Sequence, residues 1–214
     1  MESGAFYGRS LIRSFLAGVA IAIGGCVLIG CTEAGYRWVG AILFSIGLMT
    51  VFNFGLDLYT GKVGYLAENK ADYVVWLFVM ILGNFIGALF VGLMFPSDTA
   101  AAWVDAKLDL GRWDLLFKGI MCGMLMFIAA DFYKERKSFL ATFFCVPVFI
   151  LAGFEHSIAD MFYVCSAGIF NADTLIMILI VLLGNGIGGV IIPLCRRYMY
   201  EPGTDPRGKN RSPG

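Results

Sequence analysis

The chain has 214 residues, of which 59% are apolar and 15% are charged, and its formal net charge is zero. A soluble protein has about 45–50% apolar and about 25% charged residues, so this composition excludes a soluble globule and a disordered chain. It predicts an integral membrane protein, and the balanced charge indicates neither nucleic-acid binding nor a polybasic lipid anchor.

Six apolar segments follow one another along the chain. Four of them have the length of a single helical crossing, which takes about 20 residues. These four are 10–31, 73–95, 112–131 and 173–197. The other two, 38–67 and 138–170, are too long for one straight crossing and too short for two crossings with a loop. We therefore predict an all-α membrane protein with six crossings, the second and fifth broken near the membrane midplane.

Each of the two longer segments contains a glycine followed two residues later by an acid. Gly55 and Asp57 interrupt the first of them, and Gly153 and Glu155 interrupt the second. An acid at the start of the outgoing half-helix can accept hydrogen bonds from free backbone N–H groups and stabilise the helix dipole. We predict this structural role for both acids, because a carboxylate that lined an anion path would repel the anion.

Three polar residues near the breaks are candidates for contact with a substrate. His156 is the one histidine in the sequence, and at membrane depth it can offer a proton or a hydrogen bond to a passing anion. The alternative is a neutral imidazole that bonds a local carbonyl. Asp160 either orients the imidazole or pairs elsewhere. Thr60 either faces His156 across the two breaks or bonds its own backbone.

An internal repeat relates the two halves of the chain. Leu82-Gly83-Asn84 recurs 101 positions later as Leu183-Gly184-Asn185, and the Gly-x-acid break recurs 98 positions later. Three crossings are an odd number, so the second copy, about 112–197, is inverted relative to the first, about 10–95. Inverted repeats with broken helices at matching positions indicate a transport path near the midplane. Small-residue helix packing is a further reason for the repeated glycines.

The distribution of basic residues predicts the orientation in the membrane. With both termini cytoplasmic, twelve of the 16 Lys and Arg residues lie inside, as the positive-inside rule requires. The four outside are Arg37, Lys107, Arg112 and Lys118. By its position alone, Lys107 is interpreted as a solvated surface charge. We expect a bacterial-type inner membrane protein, with one channel domain over 1–200 and a polar, disordered tail over 201–214.

Other classes of membrane protein lack their sequence signatures here. The six cysteines form no C-x-x-C pair, so we predict no metal and no cofactor. Two buried acids would suit an intramembrane aspartyl protease, but Phe54 and Leu56 stand where its Gly-x-Gly-Asp site needs glycine. An aquaporin would have Asn-Pro-Ala at both breaks. We therefore expect no enzyme and no water channel.

The sequence resembles the formate/nitrite transporter family from about Phe15 to Tyr200. The most specific match is Gly153-Phe154-Glu155-His156-Ser157-Ile158-Ala159-Asp160-Met161-Phe162. It is supported by Gly55-Leu56-Asp57-Leu58-Tyr59-Thr60 and by Leu183-Gly184-Asn185. Within the family, the chain is most similar to the hydrosulfide channel branch.

This resemblance implies an aquaporin-like fold, a homopentamer in the lipid bilayer and one pore in each protomer. The two hydrophobic constrictions around a central chamber would be lined by Phe44, Leu48, Leu58 and Phe149. His156 and Thr60 would face the chamber, while Lys107 and Asn185 would belong to the anion-attracting vestibule and the polar lining. The expected function is a channel for small anions of weak acids, above all hydrosulfide, and also formate and nitrite. The alternative is a proton-coupled secondary transporter of formate, nitrite or lactate.

Two positions depart from the pattern of that family. Gly123 stands where Asn commonly follows the Gly-Ile pair of the fourth crossing, and Asp160 stands where Asn is frequent. We hypothesise that the missing Asn donor at position 123 relaxes selectivity toward a small, weakly hydrogen-bonding anion such as hydrosulfide. The alternative is that Gly119 and Gly123 form a small-residue packing pair.

Overall fold

The computed structural model describes residues 2–69 and 71–200, leaving aside the side chains of residues 2, 3 and 197. Throughout these residues, the regular structure is helical, and a 3-10 helix (Val63–Glu68) follows the fourth α-helix. The predicted tail, 201–214, and Lys70 lie outside the described residues. The α-helices are α1 (Glu2–Glu33), α2 (Arg37–Leu43), α3 (Ser45–Asn53), α4 (Tyr59–Lys62), α5 (Asp72–Met94), α6 (Asp98–Leu108), α7 (Arg112–Arg136), α8 (Leu140–Leu151), α9 (Ser157–Ala167) and α10 (Ala172–Met199).

Four of the helices have the length and apolar character of membrane spans. These are α1, α5, α7 and α10, and they coincide with the four segments predicted as single crossings. Large apolar side chains such as Phe78, Phe90 and Leu179 are exposed on their outer faces. A surface of this kind is stable in lipid rather than in water. The chain is therefore an integral membrane protein.

The two longer apolar segments each fold as short helices separated by non-helical backbone. Residues 54–58 separate α3 from α4, and residues 152–156 separate α8 from α9. Gly55 and Gly153 have positive φ angles of 61° and 70°. A side chain in this left-handed region meets the following carbonyl, at a cost of about 1–2 kcal/mol, so glycine suits both positions.

The four long helices pack as two pairs, α1 with α5 and α7 with α10. The repeated glycines lie where the helices of each pair come closest. A Cβ atom on Gly87 would lie 2.1 Å from the carbonyl oxygen of Phe15, and one on Gly188 would lie 1.9 Å from that of Ile120. Neither position has room for a side chain, so the small residues allow the backbones to touch.

Gly123 belongs to the same kind of contact between α7 and α10. A Cβ atom at this position would lie 2.3 Å from the carbonyl oxygen of Asn185 and 2.8 Å from its Cα. An Asn side chain does not fit there unless the two helices separate. This close contact supports the alternative that Gly119 and Gly123 are packing residues, while the effect of position 123 on selectivity stays a prediction.

Polar groups concentrate in the interior around the two non-helical segments. Helix α9 is enclosed by its neighbours, and each residue from Ser157 to Ser166 is buried. Several buried side chains there are polar or charged, which requires hydrogen-bond or ion-pair partners inside the protein. They are Asp57, Thr60, Asn84, Glu155, His156, Asp160 and Asn185.

Candidate functional site

One asparagine amide holds the first non-helical segment in place. The Oδ1 atom of Asn84, on α5, accepts a hydrogen bond of 3.0 Å from the backbone N–H of Tyr59. Its Nδ2 atom donates to the carbonyl oxygens of Asp57, at 2.9 Å, and Ser14, at 2.8 Å. The amide thus bonds the backbone groups of Asp57 and Tyr59 at the break and ties this segment to Ser14 on α1.

A second asparagine makes the equivalent contacts at the other segment. Asn185, on α10, accepts a 2.9 Å hydrogen bond from the backbone N–H of Ser157. Its Nδ2 atom donates to the carbonyl oxygens of Glu155 and Gly119, both at 2.9 Å. The bonded residues correspond through the repeat, because Tyr59 and Ser157 are 98 positions apart. Asn185 was expected in the polar lining of a pore, but its amide is committed to the backbone.

The two acids at the breaks bind cations rather than backbone N–H groups, which differs from the sequence-based expectation. Asp57 Oδ2 accepts from Arg13 Nε at 2.9 Å and from Ser10 Oγ at 2.8 Å. Glu155 forms an ion pair with Lys107. The asparagines have taken over the capping role, so the carboxylates are available to hold the cations.

Lys107 is a partly buried member of an ion cluster. Its side chain is 16% exposed, and its Nζ atom lies 3.0 Å from Asp160 Oδ1 in addition to its contact with Glu155. The interpretation of Lys107 as a solvated surface charge is therefore wrong, because α6 folds back over α9. Burial lowers the pKa of the Lys107 ammonium, but Asp160 and Glu155 outweigh this effect and raise it overall.

The structure brings His156 and Thr60 together from the two halves of the chain. The distance between His156 Nε2 and Thr60 Oγ1 is 3.0 Å. His156 Nδ1 accepts a hydrogen bond of 3.2 Å from the backbone N–H of Ala159. An acceptor nitrogen carries no hydrogen, so a neutral imidazole has its proton on Nε2 and donates to the threonine oxygen.

Aromatic rings cover the imidazole on one side. The ring of Phe149 stacks on that of His156 with centroids 5.7 Å apart, and Phe44 meets Phe149 edge-on at 6.0 Å. Leu48 and Leu58 are also buried in the core. One face of the imidazole is thus covered by an aromatic ring of α8.

Two cavities reach into the protein near these residues. The Phe149 cavity, of about 330 Å³, is lined by Phe149 and His156 and by the ion cluster of Lys107, Glu155 and Asp160. The Leu58 cavity, of about 240 Å³, is lined by Leu58 and by Lys62, Lys134 and Lys137. Phe44, Leu48 and Thr60 line neither cavity. Within the described part of the chain, no group of three His, Cys, Asp or Glu side chains has the arrangement of a metal site.

Sequence reasoning missed several residues of this site. Asn84 was recognised as part of the repeat but not as a hydrogen-bonding residue, although its 101-residue spacing to Asn185 carried that signal. Arg13 and the lysines of the Leu58 cavity had been counted only for membrane orientation. Their partners lie far away in sequence, and such contacts become visible only once the helices are packed.

Comparisons with known proteins indicate one family. The family model "Formate/nitrite transporter" matches residues 6–199. A "Probable formate transporter" of Methanothermobacter thermautotrophicus is 27% identical, with 90% of this chain and 88% of that protein covered. Among solved structures, an "FNT family ion channel" has a TM-score of 0.77 and 25% identity over 92% of this chain and 90% of that chain.

A second solved structure shows the same fold. It is described as "Pentameric formate channel with formate bound" and has a TM-score of 0.74 and 22% identity over 91% of this chain and 97% of that chain. The match of the family model spans nearly the whole described part of the chain and includes both breaks and the repeat. The chain therefore belongs to the formate/nitrite transporter family.

Proposed function

We propose that this protein is a membrane channel for small monovalent anions of weak acids. The observation that carries the proposal is the buried His156–Thr60 pair: His156 lines the Phe149 cavity, while Leu58 and Gly61, which are close to Thr60 in the chain, line the Leu58 cavity. A hydrogen-bond donor enclosed by apolar rings suits a small anion that has shed its water. Family membership and the likeness to an ion channel support the same class of function.

The architecture that we propose has six crossings in two inverted repeats, over about 10–95 and 112–197. The second and fifth crossings are each made of two half-helices that meet at 54–58 and 152–156. The matching hydrogen bonds of Asn84 and Asn185 support this arrangement. Irregular backbone at membrane depth survives only when it is buried in protein or lines a cavity. Here Gly55, Leu56 and Leu58 line the Leu58 cavity, and residues 153–156 line the Phe149 cavity.

We further propose a homopentamer in a bacterial-type inner membrane, with both termini in the cytoplasm. The solved pentameric formate channel, which covers 91% of this chain, supports the oligomer. The positive-inside rule supports the orientation, since Lys62, Lys134 and Lys137 then face the cytoplasm. In this orientation the Leu58 cavity is the inner mouth of the pore and the Phe149 cavity is the outer mouth.

Neutralisation of the anion lowers the barrier of the dry constrictions. A bare ion that leaves water for a medium of low dielectric faces an idealised cost on the order of 20 kcal/mol. The conjugate base of a weak acid can take up a proton and cross as a neutral molecule. Phe44, Leu48, Leu58 and Phe149 exclude strongly hydrated ions that have no such route.

His156 acts in this mechanism as a neutral hydrogen-bond donor. Protonation to imidazolium would place a hydrogen on Nδ1 and break its bond to the N–H of Ala159, while loss of the Nε2 proton would leave a buried imidazolate. The imidazole therefore keeps its proton, and the anion takes its proton from water in the cavity that it enters, which leaves a hydroxide ion on that side. Thr60 accepts from Nε2 and so has its own hydroxyl hydrogen available for the permeating anion.

Hydrosulfide is the substrate that we propose first, with formate and nitrite also conducted. The support for hydrosulfide is the resemblance of the sequence to that branch, while the relatives named above are formate proteins. The test is a panel of formate, nitrite, lactate and hydrosulfide fluxes into proteoliposomes across a range of pH. Flux down the gradient alone supports a channel, and accumulation driven by an imposed pH gradient would make the protein a secondary transporter. No flux of any of these anions would overturn the proposal.

A further inference from the structure

The repeat places oppositely charged residues at equivalent positions of the two halves. The offset of 98 that relates Gly55 to Gly153 and Asp57 to Glu155 also relates Lys62 to Asp160. In each half, this residue stands five positions after the acid of the break. The two halves share their hydrogen-bonding frame but differ by two units of charge at this one pair of positions.

The Leu58 cavity is surrounded by cations. Lys62, Lys134 and Lys137 line it, and none of its lining residues is acidic. The Lys134 ammonium lies 4.0 Å from the centroid of the Tyr65 ring, and that of Lys137 lies 5.6 Å from the Tyr133 ring. These rings also line the cavity, so they hold the ammonium groups at its wall.

The nearby acids do not line this cavity. Asp57, behind Leu58, is bound by Arg13 and does not line the cavity. Asp131 pairs with Arg196 and lines a different cavity, on the other side of α7, together with Glu135. The wall of the Leu58 cavity therefore carries three lysines and no carboxylate, with the Lys62 ammonium 5.9 Å from the Trp76 ring, which lies outside the cavity.

The Phe149 cavity has a different balance of charge. Arg37, Lys107 and Lys118 line it, but Glu155 and Asp160 line it as well. Both carboxylates bind Lys107, so the charge of that ammonium is more than cancelled. Asp160 Oδ2 is buried without a hydrogen-bond partner among the residues that the structure describes. When both carboxylates are ionised, this second one leaves the ion cluster with one excess negative charge beside His156.

We propose that the two mouths of the pathway bind anions unequally and that Lys62 and Asp160 set the difference. The Leu58 mouth binds a permeating anion more tightly, and Asp160 weakens binding at the Phe149 mouth. This inference rests on the proposed channel function and deepens it, because it assigns a preferred side of anion capture to the same pathway. With the orientation proposed above, capture is stronger from the cytoplasm, as suits the release of an anionic product of metabolism.

The test measures the half-saturating formate concentration from each side, in right-side-out and inside-out membrane vesicles with equal pH across the membrane. We expect the value from the Leu58 side to be lower by about fivefold, which corresponds to about 1 kcal/mol, the Coulomb energy of one close charge in water. Asp160→Asn should lower the value from the Phe149 side alone. Lys62→Asn should raise the value from the Leu58 side alone.

Arg112→Gln provides the matched control, because Arg112 is exposed and lines neither cavity. It removes one positive charge and should leave both values unchanged. Equal values from the two sides in the wild type would overturn the inference while the channel function stands. A wild type that carries no formate, nitrite or hydrosulfide from either side would instead overturn the proposed function. Gel filtration in detergent verifies that each variant keeps the oligomer of the wild type.

Discussion

The two non-helical segments, 54–58 and 152–156, are held by equivalent asparagine hydrogen bonds, which together form one hydrogen-bonding frame. They differ in the side chain at the start of the helix that follows. Asn84 and Asn185 cap the two segments through equivalent backbone groups. Leu58 begins the half-helix after the first break, and His156 occupies the same place after the second. The frame maintains the fold, while the positions around it remain free to differ. One half therefore has a leucine at this place and the other has the imidazole.

The largest effect is expected from removal of either capping amide. Asn84→Ala and Asn185→Ala each delete three hydrogen bonds and leave buried backbone groups unsatisfied, at about 1–3 kcal/mol for each group. Both variants should lose several kcal/mol of stability and run as aggregates. Thermal unfolding in detergent, followed by size-exclusion chromatography, measures this loss. If one variant stays as stable as the wild type, the two breaks are not structurally equivalent.

Lys107 and Arg13 should contribute unequally to the stability of the fold, because Lys107 is more deeply buried than Arg13. Lys107 has 16% of its side chain exposed and Arg13 has 36%. Lys107→Met leaves Glu155 and Asp160 without their cation, which for a buried pair costs about 3–5 kcal/mol. Arg13→Met should cost less, because solvent screens that pair.

The pH dependence of the Lys107 variant provides a further check. The raised pKa of the Lys107 ammonium means that its contribution is fully present below the ordinary pKa of lysine and is lost as pH rises through the raised value. Lys107→Met removes this contribution, so its stability deficit relative to the wild type should be constant through neutral pH and should shrink only as pH rises above about 10, the ordinary pKa of lysine. Thermal unfolding of the wild type and both variants between about pH 6 and about 11 measures this. Equal losses for Lys107→Met and Arg13→Met would contradict the difference in burial.

A smaller effect on stability is expected at the contact between α7 and α10. Gly123→Ala forces the helix backbones apart, and overpacking of this kind costs about 1–3 kcal/mol. Gly30→Ala in α1 is the control, because nothing lies within 4 Å of the added Cβ. The melting temperature should fall for Gly123→Ala and hold for Gly30→Ala. An unchanged melting temperature for Gly123→Ala would contradict the packing role of position 123.

Much of the fold could be predicted from the sequence, because the length of an apolar segment and the position of a glycine determine structure within a few residues of the chain. The four long helices and the glycines of the two breaks follow from such patterns. The sequence allowed Thr60 either to face His156 or to bond its own backbone. In the folded chain the two side chains lie 3.0 Å apart. The burial of Lys107 could not be predicted, since it depends on α6 folding back over α9. Nor could the capping role of the asparagines, because an amide gives the same sequence signal in a pore lining and at a helix break.

The most direct test of the central claim is the flux of formate and hydrosulfide in proteoliposomes that hold either the wild type or His156→Leu. This variant makes the second break resemble the first, where Leu58 stands at the equivalent position, and it removes the Nε2 donor from the pathway. We predict that the variant keeps the oligomer of the wild type in gel filtration and that its anion flux falls by at least about tenfold, since each 1.4 kcal/mol of lost stabilisation is a factor of ten. Flux equal to that of the wild type across the pH range would contradict the claim that the imidazole serves the permeating anion.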